Sequence, residues 1–205
     1  MTSQTGVRSA YSQMSDQYIA LFDGDWQAEV DDTGLIGEHL AGLDGPVLDL
    51  GCGPGHRSAF LHALGADVTG VDLVPEFIDY ARANFPGPRF QLGSMTGLPL
   101  PDQSAAGILS WYSTIHLPPS DLTGALTEFH RLLTPSGRLV IGFFDSDDGV
   151  APFDHKVCTA YRWPADVFST RLAEAGFTEL QRVRHEVPDR PDRKYAAIAA
   201  TPAVL

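Results

Sequence analysis

One apolar run leads directly into glycines at alternate positions, and this feature limits the possible folds of the chain more than any other. Residues 47–50 (VLDL) have the pattern of a buried strand, and glycines follow at positions 51, 53 and 55. Glycine lets the backbone adopt positive φ and approach a bound molecule closely. A helix beginning beyond them would present free N–H groups to an anionic group of a ligand. The stretch predicts a ligand-binding strand–turn–helix unit, with a plain tight turn as the alternative.

The spacing of these glycines narrows the class of ligand. Counted from Gly51, the dinucleotide fingerprint GxGxxG would need a third glycine at position 56, which is His56, and no lysine is close enough for a phosphate-binding P-loop. Asp72 ends a second apolar run 21 residues after Gly51. A carboxylate at that place can bind both hydroxyls of a ribose, although it can also cap a helix. The pattern favours a nucleoside without a pyrophosphate.

From residue 45 onward, short apolar runs alternate with helical patterns, which is typical of a parallel α/β sheet. We predict a Rossmann-like, doubly wound, seven-stranded sheet, mostly parallel with one antiparallel edge strand, and helices on both faces. The predicted strands are 47–50, 67–71, 90–92, 105–111, 138–144, 177–185 and 195–200. The predicted helices are 58–64, 75–84, 120–133 (with Ser120 as its N-cap) and 164–175.

The length of 205 residues fits one domain. Within it we predict four parts. These are an N-terminal cap of one or two helices that forms a lid (1–44), a cofactor-binding half (45–144), a variable substrate loop (145–162), and a C-terminal helix with a strand pair (163–205).

Charge excludes some classes of partner. The chain has 14 basic and 26 acidic side chains and a net charge of −12. Binding of nucleic acid needs clustered Lys and Arg, so we expect no nucleic-acid partner. The acidic excess serves solubility or attracts a cationic, amine-bearing substrate. There is no long apolar run, no signal pattern and no cysteine cluster, so we expect a cytoplasmic protein with no membrane contact and no metal.

Several motifs of this chain resemble those of the class I S-adenosylmethionine-dependent methyltransferases. They follow one another in the same order as in that family, over about residues 44–200. VLDLGCGPG (47–55) is similar to their glycine motif, and VTGVDL (68–73) to their second-strand motif. Gly93-Ser94-Met95 followed by LPLPD (98–102) resembles their third-strand segment. ILSW (108–111) with His116, and LLTPSGRL (132–139), resemble the fourth-strand motif and the turn before the fifth strand.

The resemblance implies S-adenosylmethionine as the cofactor and methyl transfer as the activity. It implies that Asp72 binds the ribose and that Ser110 and Trp111 lie near the sulfonium. The adenine would contact Leu73, Ser94 and Met95. The methionine end would lie against the glycine turn and the lid, at Asp49, Gly51, Gly53, Gly55 and Tyr11. Members of the family usually carry Asp where this chain has Ser94, so the adenine would here meet an uncharged acceptor.

The sequence says less about the acceptor of the methyl group than about the cofactor. Residues 110–113 (SWYS) differ from the Asn/Asp-Pro-Pro-aromatic motif of enzymes that methylate adenine or amide nitrogens. We expect in-line transfer to O or N of a small molecule, with C-methylation of a quinone-like ring or a non-catalytic cofactor-binding protein as alternatives. His116 is the candidate general base, with a structural role as the alternative, and His155 is the second candidate. Both a monomer and a homodimer remain open.

Overall fold

The computed structural model describes residues 4–22, 33–187 and 190–203, apart from the side chains of 22, 191 and 192. The helices are α1 (Gln4–Gln13), α2 (Ser15–Phe22), α3 (Thr33–Leu40), α4 (His56–Ala63), α5 (Pro75–Asn84), α6 (Pro119–Leu132) and α7 (Ala165–Glu174), with a 3-10 turn at Thr114–His116. The strands are β1 (Pro46–Leu50), β2 (Asp67–Asp72), β3 (Arg89–Leu92), β4 (Ala105–Trp111), β5 (Leu133–Asp145), β6 (Ala151–Phe153), β7 (Ala160–Trp163), β8 (Phe177–Val187) and β9 (Arg190–Pro202).

The strands form one mixed sheet whose order reverses between β1 and β4. Strands β3, β2, β1, β4 and β5 are parallel neighbours in that order. Beyond β5, strand β9 runs antiparallel to both β5 and β8, which gives this side of the sheet its antiparallel pair. In sheets of this kind a ligand binds outside the carboxyl ends of the strands where the order reverses. That point lies directly after β1.

Successive side chains of the strands are buried on opposite faces of the sheet. In β5, Leu139 and Ile141 pack in a cluster with α6 and α7, whereas Val140 packs in a second cluster with α3 and α4. Buried apolar side chains on both faces require helices on both faces. The predicted fold class is confirmed.

All seven predicted strands are present, and two short strands lie where a loop is predicted. Strands β6 and β7 form an antiparallel hairpin within 145–163, and β7 pairs with the end of β5. The turn-rich link between β8 and β9 is partly outside the described residues, since 188–189 are not described. The cap holds three described helices rather than one or two, and its remaining residues, 1–3 and 23–32, also lie outside the described part.

The N-cap of helix α6 lies two residues earlier than predicted. Its N-cap is Pro118, and Pro119 occupies the first turn. Ser120 is therefore not the N-cap, and its hydroxyl donates to Asp121 instead. Proline fits the first helical position because that residue's N–H would have no partner within the helix. The helix runs directly into β5, which begins at Leu133 rather than at 138.

The LPLPD segment is fixed to α6 by one guanidinium group. Arg131 donates to Glu128 and Asp102 and to the carbonyl oxygens of Leu98 and Leu100. Glu128 also accepts a hydrogen bond from the backbone N–H of Leu98. These bonds hold the connection between β3 and β4 against the C-terminal end of α6, close to the amino ends of β4 and β5. Within the described residues, no helix is both long enough and apolar enough to cross a bilayer.

Candidate functional site

A cavity of about 880 Å³, its open mouth included, lies where the strand order reverses. Its walls are the segments that follow β1, β2, β3 and β4, and helices α1 and α2 contribute side chains to it. The cavity lies at the point of the fold where sheets of this kind bind their ligands.

The turn after β1 is clamped between the ends of two neighbouring strands. Gly51 has φ of +81°, and its N–H donates to the carbonyl oxygen of Val71 at 2.7 Å. A Cβ at this position would overlap the Cβ of Ser113 and lie 2.9 Å from its Oγ. That Oγ donates to the carbonyl oxygen of Leu50 at 2.6 Å, so Ser113 is held against the turn. Only glycine fits here.

The other two glycines of the motif differ in their surroundings. Gly53 has φ of +52° and lines the cavity, and a Cβ built on it would meet no atom within 4 Å. Gly55 has φ of +95°, and a Cβ there would lie 2.9 Å from Ala81 and 3.0 Å from the ring of Phe90. Gly53 leaves open space for a bound molecule, whereas Gly55 lets α4 pack closely against α5 and β3.

Asp72 holds the glycine turn and lines the cavity. One carboxylate oxygen accepts from the Gly53 N–H at 2.8 Å and the other from the Val74 N–H at 2.9 Å. Asp72 thus also satisfies a backbone donor at the start of α5, as the helix-cap alternative expects. Burial raises the pKa of Asp72, and these backbone hydrogen bonds oppose that rise. A carboxylate accepts about four hydrogen bonds, so Asp72 keeps capacity for ligand hydroxyls.

Asp49 lies beneath the turn and does not line the cavity. It is 1% exposed, and the Ser58 hydroxyl donates to its carboxylate at 2.6 Å. Burial raises the pKa of Asp49 to about 7. This hydrogen bond ties β1 to α4 and braces the glycine turn from below.

Helix α1 contributes to the wall of the cavity through a buried pair. The Tyr11 hydroxyl lies 2.8 Å from Nε2 of His116, and Nδ1 of His116 lies 3.0 Å from the carbonyl oxygen of Thr159. A carbonyl oxygen can only accept, so His116 carries its proton on Nδ1, and Tyr11 donates to Nε2. Burial lowers the pKa of His116 below its usual value. The imidazole is therefore neutral at pH 7.

Rings from α2 and α5 surround Tyr11. Its ring lies edge-on to Tyr18, with centroids 5.2 Å apart, and to Phe77, with centroids 5.9 Å apart. Such contacts fix an aromatic side chain in both position and orientation. The predicted lid thus reaches the cavity with an aromatic wall.

The segment after β3 is tied to the first residue of α1. Ser94 donates to the side-chain oxygen of Gln4 at 2.9 Å, and the Gln4 amide donates to the hydroxyl of Thr96 at 2.6 Å. All three side chains and Met95 line the cavity. The predicted adenine-side residues Ser94 and Met95 are thus in the cavity wall, accompanied by a carboxamide.

The chain turns sharply after β4. Tyr112 has φ of +49°, which is uncommon for a residue with a side chain, and its N–H donates to the carbonyl oxygen of Gly142 at 3.0 Å. Trp111 lines the cavity, and its ring occupies the space that a Cβ on Gly142 would need. Ser110 is fully buried and does not line the cavity, and its hydroxyl shares a hydrogen bond of 2.8 Å with that of Ser113, which does. Strained backbone of this kind often marks functional sites.

The structure brings most of the predicted site residues to one cavity. Those that line it are Tyr11, Gly51, Gly53, Asp72, Leu73, Ser94, Met95, Trp111 and His116. Those that do not are Asp49, Gly55 and Ser110. Sequence reasoning missed several lining residues, among them Gln4, Phe77, Thr96, Ser113, Leu117 and Asp121. None of these belongs to a recognisable motif.

Among the described residues, no group of three or more His, Cys, Asp or Glu side chains could hold a metal ion.

Comparison with known proteins identifies a domain within the chain and a similar fold. Residues 47–137 match a family model described as a methyltransferase domain. The crystal structure of 1,6-didemethyltoxoflavin-N1-methyltransferase from Burkholderia thailandensis, with its substrate and S-adenosylhomocysteine bound, superimposes with a TM-score of 0.81 at 25% identity. The match covers 97% of this chain and 88% of that one. Residues 47–137 thus carry a methyltransferase domain, and the chain has the fold of a class I S-adenosylmethionine-dependent methyltransferase.

The curated relatives of this chain are named for different acceptors. Malonyl-[acyl-carrier protein] O-methyltransferase of Yersinia pestis is 41% identical over 94 residues, which are 46% of this chain and 34% of the relative. Demethylmenaquinone methyltransferase of Chlorobaculum parvum is 35% identical over 92 residues, which are 44% of this chain and 37% of the relative. The chain thus spans about a third of the length of each of these relatives.

Proposed function

We propose that this protein transfers the methyl group of S-adenosylmethionine to an oxygen or nitrogen atom of a small-molecule acceptor. The observation that carries the proposal is that Gly53, Asp72 and the Tyr11–His116 pair line the same cavity. The bound cofactor would supply a methyl group already activated by a sulfonium. The chain then has to bind the cofactor and the acceptor, orient the acceptor towards the methyl group, and exclude water.

The residues present fit this cofactor. The open space beside Gly53 allows the backbone to approach a ligand closely, and Asp72 has lone pairs left for ribose hydroxyls. Leu73 and Met95 give an apolar surface for a base, and Ser94 with Gln4 gives polar atoms at its edge. No pyrophosphate-binding glycine or lysine is present at the turn.

The charge of the cavity favours neutral or cationic ligands. Two of its lining residues are acidic, Asp72 and Asp121, and none of the described lining residues is Lys or Arg. Like charges in a cleft raise the local concentration of oppositely charged ligands and repel the others. We therefore propose an acceptor without phosphate or sulfate groups, and no nucleic-acid substrate.

C-methylation of a quinone-like ring is the second candidate. It is supported by the 35% identity to the demethylmenaquinone methyltransferase and by the aromatic walls formed by Tyr11, Tyr18, Phe77 and Trp111. Incubation with methyl-labelled S-adenosylmethionine and a panel of amines, phenols and quinols, followed by mass spectrometry, separates the candidates. We expect label on oxygen or nitrogen. Label on ring carbon supports the second candidate, and tight cofactor binding without transfer to any acceptor supports a non-catalytic protein.

Replacing Asp72 with alanine is expected to weaken the binding of S-adenosylhomocysteine. Loss of charge-assisted hydrogen bonds to the ribose costs about 1–3 kcal/mol, which is roughly a 5–150-fold rise in Kd. Isothermal titration calorimetry measures the change. Asp67→Ala is the matched control, because it removes the same charge from the far end of β2, where Asp67 pairs with Arg89 on the surface. Equal affinities of the two variants would contradict the assignment of the ribose to Asp72.

A further inference from the structure

The Tyr11–His116 pair has the geometry of a chain of proton donors and acceptors. Tyr11 is 9% exposed and His116 is 5% exposed, yet both line the cavity. The phenol donates to Nε2 at 2.8 Å, and Nδ1 donates to the Thr159 carbonyl oxygen at 3.0 Å. The lone pair of Nε2 is thus covered by the phenol. An acceptor in the cavity reaches this lone pair through the phenol oxygen while the hydrogen bond is in place.

We propose that Tyr11 and His116 form a proton relay, in which the acceptor gives its proton to the Tyr11 oxygen while Tyr11 gives its own proton to Nε2 of His116. The inference rests on the proposed function. The acceptor's O–H or N–H bond would break, and an electron pair of its oxygen or nitrogen would form the new bond to the methyl carbon. The bond from that carbon to the cofactor's sulfur would break at the same time, its electron pair would stay on the sulfur, and S-adenosylhomocysteine would leave. Tyr11 ends as a neutral phenol, and His116 ends as an imidazolium with N–H groups at both nitrogens.

Both ends of the relay have partners after the transfer. The Nδ1–H of the imidazolium keeps the Thr159 carbonyl oxygen as its acceptor, and its new Nε2–H points at the Tyr11 oxygen. Hydrogen bonds that favour the charged form offset part of the cost of placing a charge in a buried position. Tyr11 is the catalytic residue of this step, and the carbonyl oxygen of Thr159 positions His116.

The surroundings favour a relay over a phenolate at Tyr11. Burial raises the pKa of Tyr11 well above its usual value, and its neighbours Tyr18, Cys158 and Asp72 raise it further. A lone Tyr11 phenolate would therefore be costly, whereas the relay keeps the phenol neutral throughout. The titratable groups that face His116 are Tyr11, Cys158 with its Sγ 3.4 Å from Nδ1, and His155 with ring centroids 5.4 Å apart. Burial lowers the pKa of His155 to about 4, so it is neutral at pH 7.

Nuclear magnetic resonance tests the arrangement without any methyl transfer. Full-length protein carrying ¹⁵N-histidine is saturated with S-adenosylhomocysteine, and long-range ¹H–¹⁵N spectra are recorded as a function of pH. We expect His116 to carry its proton on Nδ1 and to titrate below its ordinary pKa. Tyr11→Phe should shift the Nε2 resonance, and Tyr161→Phe, the same chemical change outside the cavity on β7, should not. A proton on Nε2, or an unchanged resonance in Tyr11→Phe, would overturn the proposal.

Rates with phenols of graded acidity test the transfer itself. Tyr11→Phe and His116→Gln should lower kcat about 100-fold for phenols that are protonated at the assay pH, since general-base assistance contributes about 10²–10⁴-fold. Phenols already ionised need no relay and should keep kcat within about threefold. In the wild type, the relay needs neutral His116, so kcat/KM should rise with pH as His116 loses its proton. Glutamine can still accept from Tyr11 but takes up no proton, so this rise should disappear in His116→Gln.

The outcomes separate the relay from the proposed function. Equal losses for protonated and ionised phenols would show that the two residues only support the fold, and would overturn the relay. An undiminished rate in Tyr11→Phe would show direct proton transfer to His116, and would also overturn it. Absence of any cofactor binding would refute the proposed function. If the cofactor binds and no phenol is methylated, the resonance experiment alone decides between the relay geometry and its absence.

Discussion

Replacing Gly51 with alanine is expected to destabilise the protein by about 2–5 kcal/mol, as the sum of overpacking and of a left-handed conformation for a residue with a Cβ. The added methyl group would overlap Ser113, which is itself held by its hydrogen bond to the Leu50 carbonyl oxygen. Relief of the overlap requires the turn to move away from the end of β4. Chemical denaturation followed by circular dichroism measures the loss of stability, and calorimetry should find no cofactor binding.

Two other glycines provide controls for this prediction. Gly53→Ala meets no neighbour and should cost about 1–2 kcal/mol of stability for its positive φ, while its methyl group occupies ligand space and weakens cofactor binding. Gly124→Ala lies in the middle of α6 with no neighbour within 4 Å, and should stabilise the protein by about 1 kcal/mol. A Gly51→Ala variant as stable as Gly53→Ala would contradict the clamped turn.

Asp49→Asn is expected to change how stability depends on pH. The folded state raises the pKa of Asp49 from 3.8 to about 7, so between these values it binds a proton that the unfolded chain releases. The free energy of unfolding therefore falls as the pH rises through this window, by about 4 kcal/mol at most. Asparagine cannot ionise, and its side-chain oxygen can still accept from Ser58. The variant should lose this part of the pH dependence.

The measurement is denaturant unfolding of wild type and variant at pH 4 and pH 8. We expect Asp49→Asn to gain stability relative to wild type on going from the lower to the higher pH. Asp44→Asn, which changes an exposed carboxylate just before β1, should follow the wild-type curve at both pH values. A constant difference between Asp49→Asn and wild type at the two pH values would show that Asp49 is not buried as described.

The parts of the site that are local in sequence could be predicted, because a short segment determines them. The turn after β1 follows from an apolar run and three glycines, and Asp72 follows from its place at the end of the next strand. Their pairing follows from the parallel register of β1 and β2, in which Leu50 lies beside Val71. The hydrogen bond from Gly53 to Asp72 is a direct result of that register.

The parts that depend on tertiary packing could not be predicted. Tyr11 and His116 are 105 residues apart, and Gln4 and Ser94 are 90 apart, so no spacing rule indicates either contact. Strands β6 and β7 have three and four residues and no regular alternation, and they form because β7 can extend the sheet beside the end of β5. The division into a cap, a cofactor half, a substrate loop and a C-terminal part stays a prediction.

Calorimetric titration of the wild-type protein with S-adenosylmethionine and with S-adenosylhomocysteine tests the central claim most directly. The cavity beside Gly53 and Asp72 should bind both compounds at one site per chain. NAD should not bind, because the turn lacks the glycine spacing that a pyrophosphate needs. Heat of binding with NAD, or none with either of the two nucleosides, would contradict the account.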